Sequence, residues 1–346
     1  YRFVTVQALP VLKPSILQGK AEQMLPGQHA HSVQYNGSGK SAVVTFYEGS
    51  TQSYYLVYMD PYSGAVLKVK NMYRDFFFLV KMLHFCLLLP MSIGQPIVAV
   101  STLIFLVMLL SGIVLWWPKN KSAVKQRFWF RWKENLKWKR KNYDLHNVLG
   151  FYVCWIALGF ALTGLVWGFE WYRDAYYGVL SGGEKMVNYY EPSSDTTQAS
   201  LQTMTSIDHI YDVVVKDSKG AKTIEVHVPE TKSASIMCAI NTEEGTIWKT
   251  DFRYFDQHTL KELSVNSLYG RIADANTADK IMRQTYDIHV GAIGGLAGKV
   301  LAFLASLICA SLPVTGFLIW YGRNKKKKVK TLQTHVPKGA AASVGA

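Results

Sequence analysis

The stretch IVAVSTLIFLVMLLSGIVLWW (residues 97–117) decides the fold class, because it contains no acidic or basic side chain. A helix needs about 20 predominantly apolar residues to cross the hydrocarbon core of a membrane. Residues 148–169 and 300–321 meet the same criterion, and all three stretches end in aromatic side chains of the kind found at membrane interfaces. We therefore predict a membrane α-helical bundle with three spans.

The basic residues are concentrated in two short segments that each follow an apolar stretch. Residues 118–142 hold ten Lys or Arg and one Glu, and residues 322–346 hold seven Lys or Arg and no acid. These two segments account for the formal net charge of +14, so no soluble segment is basic enough to favour a nucleic-acid partner. Loops rich in Lys and Arg stay in the cytoplasm, which indicates that both segments lie on that side.

This orientation predicts that residues 1–80 and 172–285 lie outside the cytoplasm. The resulting division of the chain is a first outer domain (1–75), an outer-face helix plus a span (76–117), a basic cytoplasmic loop (118–145), a second span (146–171), a second outer domain (172–285), a third span (286–322) and a basic cytoplasmic tail (323–346).

The chain also repeats itself. The stretch SGIVLWWPKNK (111–121) aligns with TGFLIWYGRNK (315–325), and each outer segment reads as a helix followed by short strands. We interpret this as a two-fold repeat of an outward helix, a small α+β domain and an inward helix. Because the first copy lacks its outward helix, and no initiator methionine or signal peptide precedes Tyr1, we expect a fourth, N-terminal span to be missing from this chain.

Three of the nine histidines lie in apolar surroundings next to a predicted span. They are His84 in MLHFCLLL, His146 in YDLHNVLGF and His289 in YDIHVGAIGG. Polar side chains at membrane depth are functional candidates because burying them is costly. The other histidines lie in polar sequence, where solvated surface positions are expected: His29, His31, His209, His227, His258 and His335.

Two facing imidazoles in a helical bundle are what a six-coordinate haem iron requires. His84 and His289 both precede inward-running spans, which predicts an outer haem between them. His146 begins an outward-running span, so it is predicted to hold an inner haem with a histidine of the missing helix. Zinc is a weaker alternative because it needs three or four clustered ligands. The four cysteines form no C-x-x-C-H motif for covalent haem attachment.

Several polar residues near these histidines have two possible roles. Arg173 and Arg283 are candidate partners for haem propionates at the outer face. Asp144 and Asp287 each precede a histidine by two residues, so each is either a hydrogen-bond acceptor for an imidazole or a helix N-cap.

Glycines spaced by four residues follow His289. Gly291 with Gly295, and Gly294 with Gly298, are expected to clear one helix face for a neighbouring helix or for a flat macrocycle.

Taken in order, these motifs resemble the PepSY-associated transmembrane family, whose members include bacterial inner-membrane ferric-siderophore reductases. The resemblance rests on DPYSGAVL, LHFCLLL, SGIVLWWP, DLHNVLGF, ALTGLVW, IHVGAIGGLAGK and TGFLIWYGRNKKKK, which extend over most of the chain.

This resemblance implies PepSY-like outer domains in the periplasm, a bacterial inner-membrane location and two b-type haems ligated by His84, His146 and His289. It further implies reduction of a ferric siderophore or another iron chelate, with electrons from a cytoplasmic reductase or a membrane quinol. The alternative is a non-enzymatic, membrane-anchored PepSY module that binds periplasmic ligands or inhibits a peptidase. The residues do not specify the chelate, the donor or the oligomeric state.

Overall fold

The computed structural model describes residues 1–49, 53–117, 124, 128–130, 132, 135–197 and 203–334, with side chains at all of these except 203–204 and 324–334. Most of the predicted basic loop and the end of the tail therefore lie outside the described residues. The chain forms two compact units, the first made of residues 1–101 and 163–295 and the second of 102–162 and 296–346.

The described residues form eight α-helices and eight β-strands. The helices are α1 (Pro14–Met24), α2 (Phe76–Cys86), α3 (Met91–Trp116), α4 (Trp138–Gly168), α5 (Glu170–Ser181), α6 (Thr203–Asp217), α7 (Thr277–His289) and α8 (Gly295–Thr334). The strands are β1 (Ser32–Tyr35), β2 (Ala42–Glu48), β3 (Ser53–Met59), β4 (Val66–Asn71), β5 (Thr223–His227), β6 (Ile236–Asn241), β7 (Thr250–Phe255) and β8 (Glu262–Leu263). Two 3-10 turns are Met72–Arg74 and Ala292–Gly294.

Three helices are long and apolar enough to cross a membrane, as the sequence predicts. They are Met91–Trp116, Trp138–Gly168 and Ala292–Arg323, with mean hydropathies of 2.7, 2.0 and 2.1. The second helix begins well before the predicted start at 146, because the polar sequence ahead of the apolar run continues the helix. His146 therefore lies inside α4 and not at its entrance.

The glycines after His289 break the helix. α7 ends at His289, Gly291 adopts a left-handed conformation with φ of 73°, and α8 begins at Gly295 with φ of 59°. Positive φ values are costly for residues with a Cβ, so glycine is suited to both positions. The expectation that Gly291 and Gly295 clear one face of a continuous span from 286 is wrong.

The strands of both predicted outer domains form one antiparallel sheet, in the order β4-β3-β2-β1-β5-β6-β7-β8. The two halves meet where β1 pairs with β5, with Val33 opposite Val226. Each half contributes a helix, four strands and a second helix in the same order. The protein thus combines a membrane helical region with an α+β region whose two halves share a sheet, where the sequence predicts two separate small domains.

One face of this sheet is covered by α1 and α6. Apolar side chains from both helices and from the central strands pack into a single core, whose fully buried members include Leu17, Val33, Val44, Phe46, Ile207, Val214, Val226 and Ile236. Burying one such side chain contributes about 1.5–3 kcal/mol. This shared core joins the two halves in addition to the strand pairing.

The turn between α2 and α3 is tight and brings the two helices together. Leu87 and Leu88 both have positive φ, at 57° and 58°. A Cβ added at Gly94 would lie 1.9 Å from the carbonyl oxygen of Cys86. Glycine is therefore required at this contact, which positions the end of α2 and with it His84.

Candidate functional site

His84 and His289, both in the first unit, face each other. Their ring centroids are 6.1 Å apart and their planes are inclined by 39°. Metal–imidazole bonds are about 2.0–2.1 Å long. Two imidazoles on opposite sides of one metal ion therefore have centroids roughly 6 Å apart, given the size of the ring. The observed separation fits a shared iron between the two rings.

The imidazole of His289 is held by residues at the end of α4. Its Nδ1 lies 2.9 Å from Oγ1 of Thr163. A Cβ added to the next residue, Gly164, would lie 3.3 Å from Cε1 of the same ring. Trp167 contacts the ring edge-to-face with centroids 5.5 Å apart. One turn of α4 thus fixes the position of the ring and supplies a hydrogen-bond partner for its Nδ1.

His146, in the second unit, has an equivalent environment. Its Nδ1 lies 2.8 Å from Oγ1 of Thr315, and a Cβ added to Gly316 would lie 3.2 Å from Cε1. Asn142, one turn earlier on α4, donates from Nδ2 to the carbonyl oxygen of Thr315 over 3.0 Å. The structure therefore places a Thr-Gly pair beside two of the three predicted histidines.

The Thr315 hydroxyl favours one tautomer of His146. Oγ1 lies 3.1 Å from the carbonyl oxygens of Ser311 and Leu312, which are acceptors for its single hydrogen. When the hydroxyl donates to them, it accepts from Nδ1–H of His146, and Nε2 in that tautomer carries no proton. An unprotonated Nε2 is the form of histidine that binds a metal.

Sequence reasoning did not find these threonines. The Thr-Gly pairs were visible in ALTGLVW and TGFLIWYG, but they indicated only close packing of the spans. The related pair in α3, Ser111 and Gly112, behaves differently in the described structure. Ser111 donates to the carbonyl oxygen of Met108, and a Cβ at Gly112 would meet nothing within 4 Å.

The two candidate arginines have different environments. Arg283 is buried and donates to the backbone carbonyls of Leu268, Thr250 and Gly270 over 2.7–2.8 Å. Arg173 is partly exposed, and its Nε donates to Asp174 over 3.1 Å. Because Arg283 is committed to three carbonyls, we retain only Arg173 as a candidate partner for propionates.

Neither candidate aspartate caps a helix or contacts an imidazole. Asp287 is fully buried near the end of α7 and accepts from the backbone N–H groups of Ile247 and Trp248 over 2.9 and 2.7 Å. α7 is capped by Asn276 instead. Asp144 lies inside α4 and pairs with Arg140 at 3.0 Å. Both carboxylates therefore have structural partners of their own.

The remaining histidines lie away from these sites. His258, expected at the surface, is buried, and its Nε2 lies 2.9 Å from the carbonyl oxygen of Lys232. His31 and His227 contact each other edge-to-face across the β1–β5 pairing, with centroids 5.0 Å apart. Within the described part of the chain, no group of three or more His, Cys or carboxylate residues has the arrangement of a metal site. His335 lies outside the described residues.

Comparison with known families supports the resemblance. The family model for the PepSY-associated TM region matches residues 4–323. Together with the three apolar helices, this match makes the chain a multi-pass membrane protein. A search of curated proteins found no match.

Proposed function

Because the chain belongs to the PepSY-associated transmembrane family, we propose that it is a haem-containing electron-transfer protein of the bacterial inner membrane. Its proposed reaction is the reduction of ferric chelates, such as ferric siderophores, on the periplasmic side. Each ferric ion takes up one electron and becomes ferrous, and a cytoplasmic reductase or a membrane quinol is the electron donor.

The observation that carries this proposal is the separation of His84 and His289, which matches two axial ligands of one iron. When bound, haem b would supply a one-electron carrier, and His84 and His289 would hold its iron. His84 reaches this position from α2, and His289 reaches it from the end of α7. Because Nδ1 of His289 contacts Thr163, Nε2 would be the nitrogen that holds the iron.

His146 supplies one ligand of the proposed inner haem. Thr315 orients its ring in the same way, and Gly316 leaves room for it. The basic residues 118–142, which precede His146 in the sequence, suit docking of an acidic reductase at the cytoplasmic surface.

The test is a visible absorption spectrum of the full-length protein, purified in detergent and measured in the oxidised and dithionite-reduced states. We expect two low-spin b-type haems. His84→Ala or His289→Ala should remove one of them, whereas His209→Ala, which changes an exposed histidine of α6, should remove neither. Chelate reduction is then assayed with the same variants.

A protein that stays colourless when it is expressed with ample haem contradicts this proposal. The non-enzymatic PepSY module that binds periplasmic ligands then becomes the preferred function.

A further inference from the structure

A cavity of about 490 Å³ lies in the first unit next to His289. Trp167 and Tyr286 both line it, and Trp167 contacts the imidazole of His289 edge-to-face. These two aromatic side chains also contact each other, with ring centroids 6.1 Å apart. The cavity is therefore separated from the proposed haem ligand by a single layer of side chains.

Two arginines and one glutamate line the cavity. These charged lining residues are Glu170, Arg173 and Arg283. The buried Arg283 donates to three backbone carbonyls, and the nearby carboxylates of Asp251 and Asp279 also act on its charge. Among the residues that line the cavity the two arginines outnumber Glu170, which favours an anion at the cavity wall.

Five aromatic side chains line the cavity. Tyr189 and Phe252 each pack edge-to-face against Tyr269, with centroids 5.7 and 5.6 Å apart. All three residues line the cavity. Aromatic walls bind flat, apolar rings, and a volume of about 490 Å³ lies within the usual range for small-molecule sites.

We infer that this cavity binds the iron chelate, and that its substrates are ferric catecholates. This inference rests on the proposed function. Ferric catecholates combine a negative charge with aromatic rings, and so match both the arginines and the aromatic walls. Ferric trihydroxamates are neutral and lack such rings, and ferric citrate is anionic without aromatic rings. A chelate in this cavity contacts Trp167 and Tyr286, the residues next to the electron source.

The experiment measures binding without reduction. Gallium(III) is not reduced under these conditions, so gallium(III) tris-catecholate is titrated into the full-length protein in detergent by calorimetry, beside a gallium(III) trihydroxamate and gallium(III) citrate. Two variants change the cavity. Arg173→Gln removes a positive charge, and Val187→Trp fills the cavity from a residue that is 44% exposed. Arg74→Gln, an exposed arginine outside the cavity lining, is the matched control.

We expect the catecholate to bind best. Each cavity variant should weaken this binding by about tenfold or more, as is usual when a charge-assisted contact is lost, and Arg74→Gln should leave it unchanged. Equal affinity in the wild type and both cavity variants, tighter binding of the trihydroxamate or citrate, or no binding of any gallium chelate would overturn the inference.

The titration does not require haem, and Val187→Trp changes the cavity without altering Arg173, the candidate partner for propionates. If the protein is coloured but does not bind gallium tris-catecholate, the cavity is not the chelate site and the electron-transfer proposal is retained. If the protein is colourless but its catecholate binding depends on Arg173, the electron-transfer proposal is refuted and the cavity is retained as the chelate site.

Discussion

The hydroxyl oxygen of Thr163 lies 2.9 Å from Nδ1 of His289, although 126 positions separate the two residues in the chain. Thr315 has the same relationship with His146 at 2.8 Å. In each case a glycine follows the threonine and faces the same imidazole. The same small arrangement thus occurs twice, once between α4 and α7 and once between α8 and α4. In each case its effect is to orient a histidine.

Thr163→Val should raise the midpoint potential of the proposed haem at His84 and His289. Valine has the shape of threonine but accepts no hydrogen bond, so the imidazole becomes a weaker electron donor to ferric iron. Loss of such a partner commonly weakens metal binding by about 10–100-fold. Redox titration monitored by visible absorption measures the potential, and haem loss on dilution measures the affinity.

Thr163→Ser keeps the hydroxyl and should restore the wild-type potential. Thr315→Val serves as the matched variant, because it should shift only the haem held by His146. An unchanged potential in both valine variants would show that the threonines only pack the helices.

Gly164→Ala and Gly316→Ala should displace the imidazole rings without lowering the stability of the protein. Alanine is favoured over glycine inside a helix by about 1 kcal/mol. The added methyl group would lie 3.3 Å from His289 and 3.2 Å from His146, so each ring must shift by a few tenths of an ångström. Low-temperature electron paramagnetic resonance of the ferric haems reports such changes in ring orientation.

Gly112→Ala is the control for these variants, because a methyl group there meets nothing within 4 Å. Identical spectra for all three alanine variants would contradict the role given to Gly164 and Gly316.

Gly94→Ala should prevent His84 from reaching His289. The added Cβ would lie 1.9 Å from the carbonyl oxygen of Cys86, and a backbone atom cannot move aside without opening the α2–α3 turn. We expect loss of one haem in the pyridine haemochrome count. Gly19→Ala, in the middle of α1 with open space around it, should retain both haems. A full haem content in Gly94→Ala would show that the turn does not position His84.

Arg283→Met should destabilise the protein by about 3 kcal/mol or more, because a hydrogen bond to a charged group is worth about 1.5–3 kcal/mol and three are lost. The carbonyls of Leu268, Thr250 and Gly270 are left with no guanidinium donor. Thermal unfolding in detergent measures the change. Arg173→Met is the comparison, and its effect should be small because this side chain is partly exposed. Equal effects of the two variants would refute the structural role of Arg283.

Acidic pH should destabilise the sheet through His227. Burial lowers the pKa of His227, and the nearby His31 lowers it further, whereas Glu225 opposes both. In the unfolded chain the pKa of His227 is about 6.5. As pH falls below that value, the unfolded chain therefore binds more protons than the folded protein. Stability should be constant above about pH 7.5 and should decline as pH falls from about 6.5 to the lowered folded-state pKa.

Unfolding midpoints at a series of pH values test this dependence. His227→Gln should flatten the decline, and His29→Gln, which changes an exposed histidine, should leave it as in the wild type. If stability declines equally in His227→Gln, other titrating groups cause the decline, among them Glu230, which lies 3.1 Å from His31.

The spans were predictable because a long uncharged run has few alternatives. The strands β2 to β7 were predictable from their alternation or apolar content. β1 was missed because it is only four residues long and its partner β5 lies far along the chain. A pairing of that kind leaves no local pattern in the sequence. The two halves therefore looked like separate domains.

The three histidines were found because a polar side chain among apolar ones is conspicuous. The threonines beside them were not, since threonine is common in membrane helices and its partner depends on how helices pack. The hydrogen bonds of Arg283 were unpredictable for a related reason. Its partners are backbone carbonyls, which every residue carries, so nothing in the sequence marks them.

The pairing of β1 with β5 also protects the protein from aggregation. Each half alone would expose a strand with unpaired backbone groups, and such edges recruit strands from other molecules. Joining the halves hides both of these edges inside one sheet, leaving β4 and the two-residue β8 at its margins. Either half expressed alone should therefore self-associate, so the two halves must be made as parts of one chain.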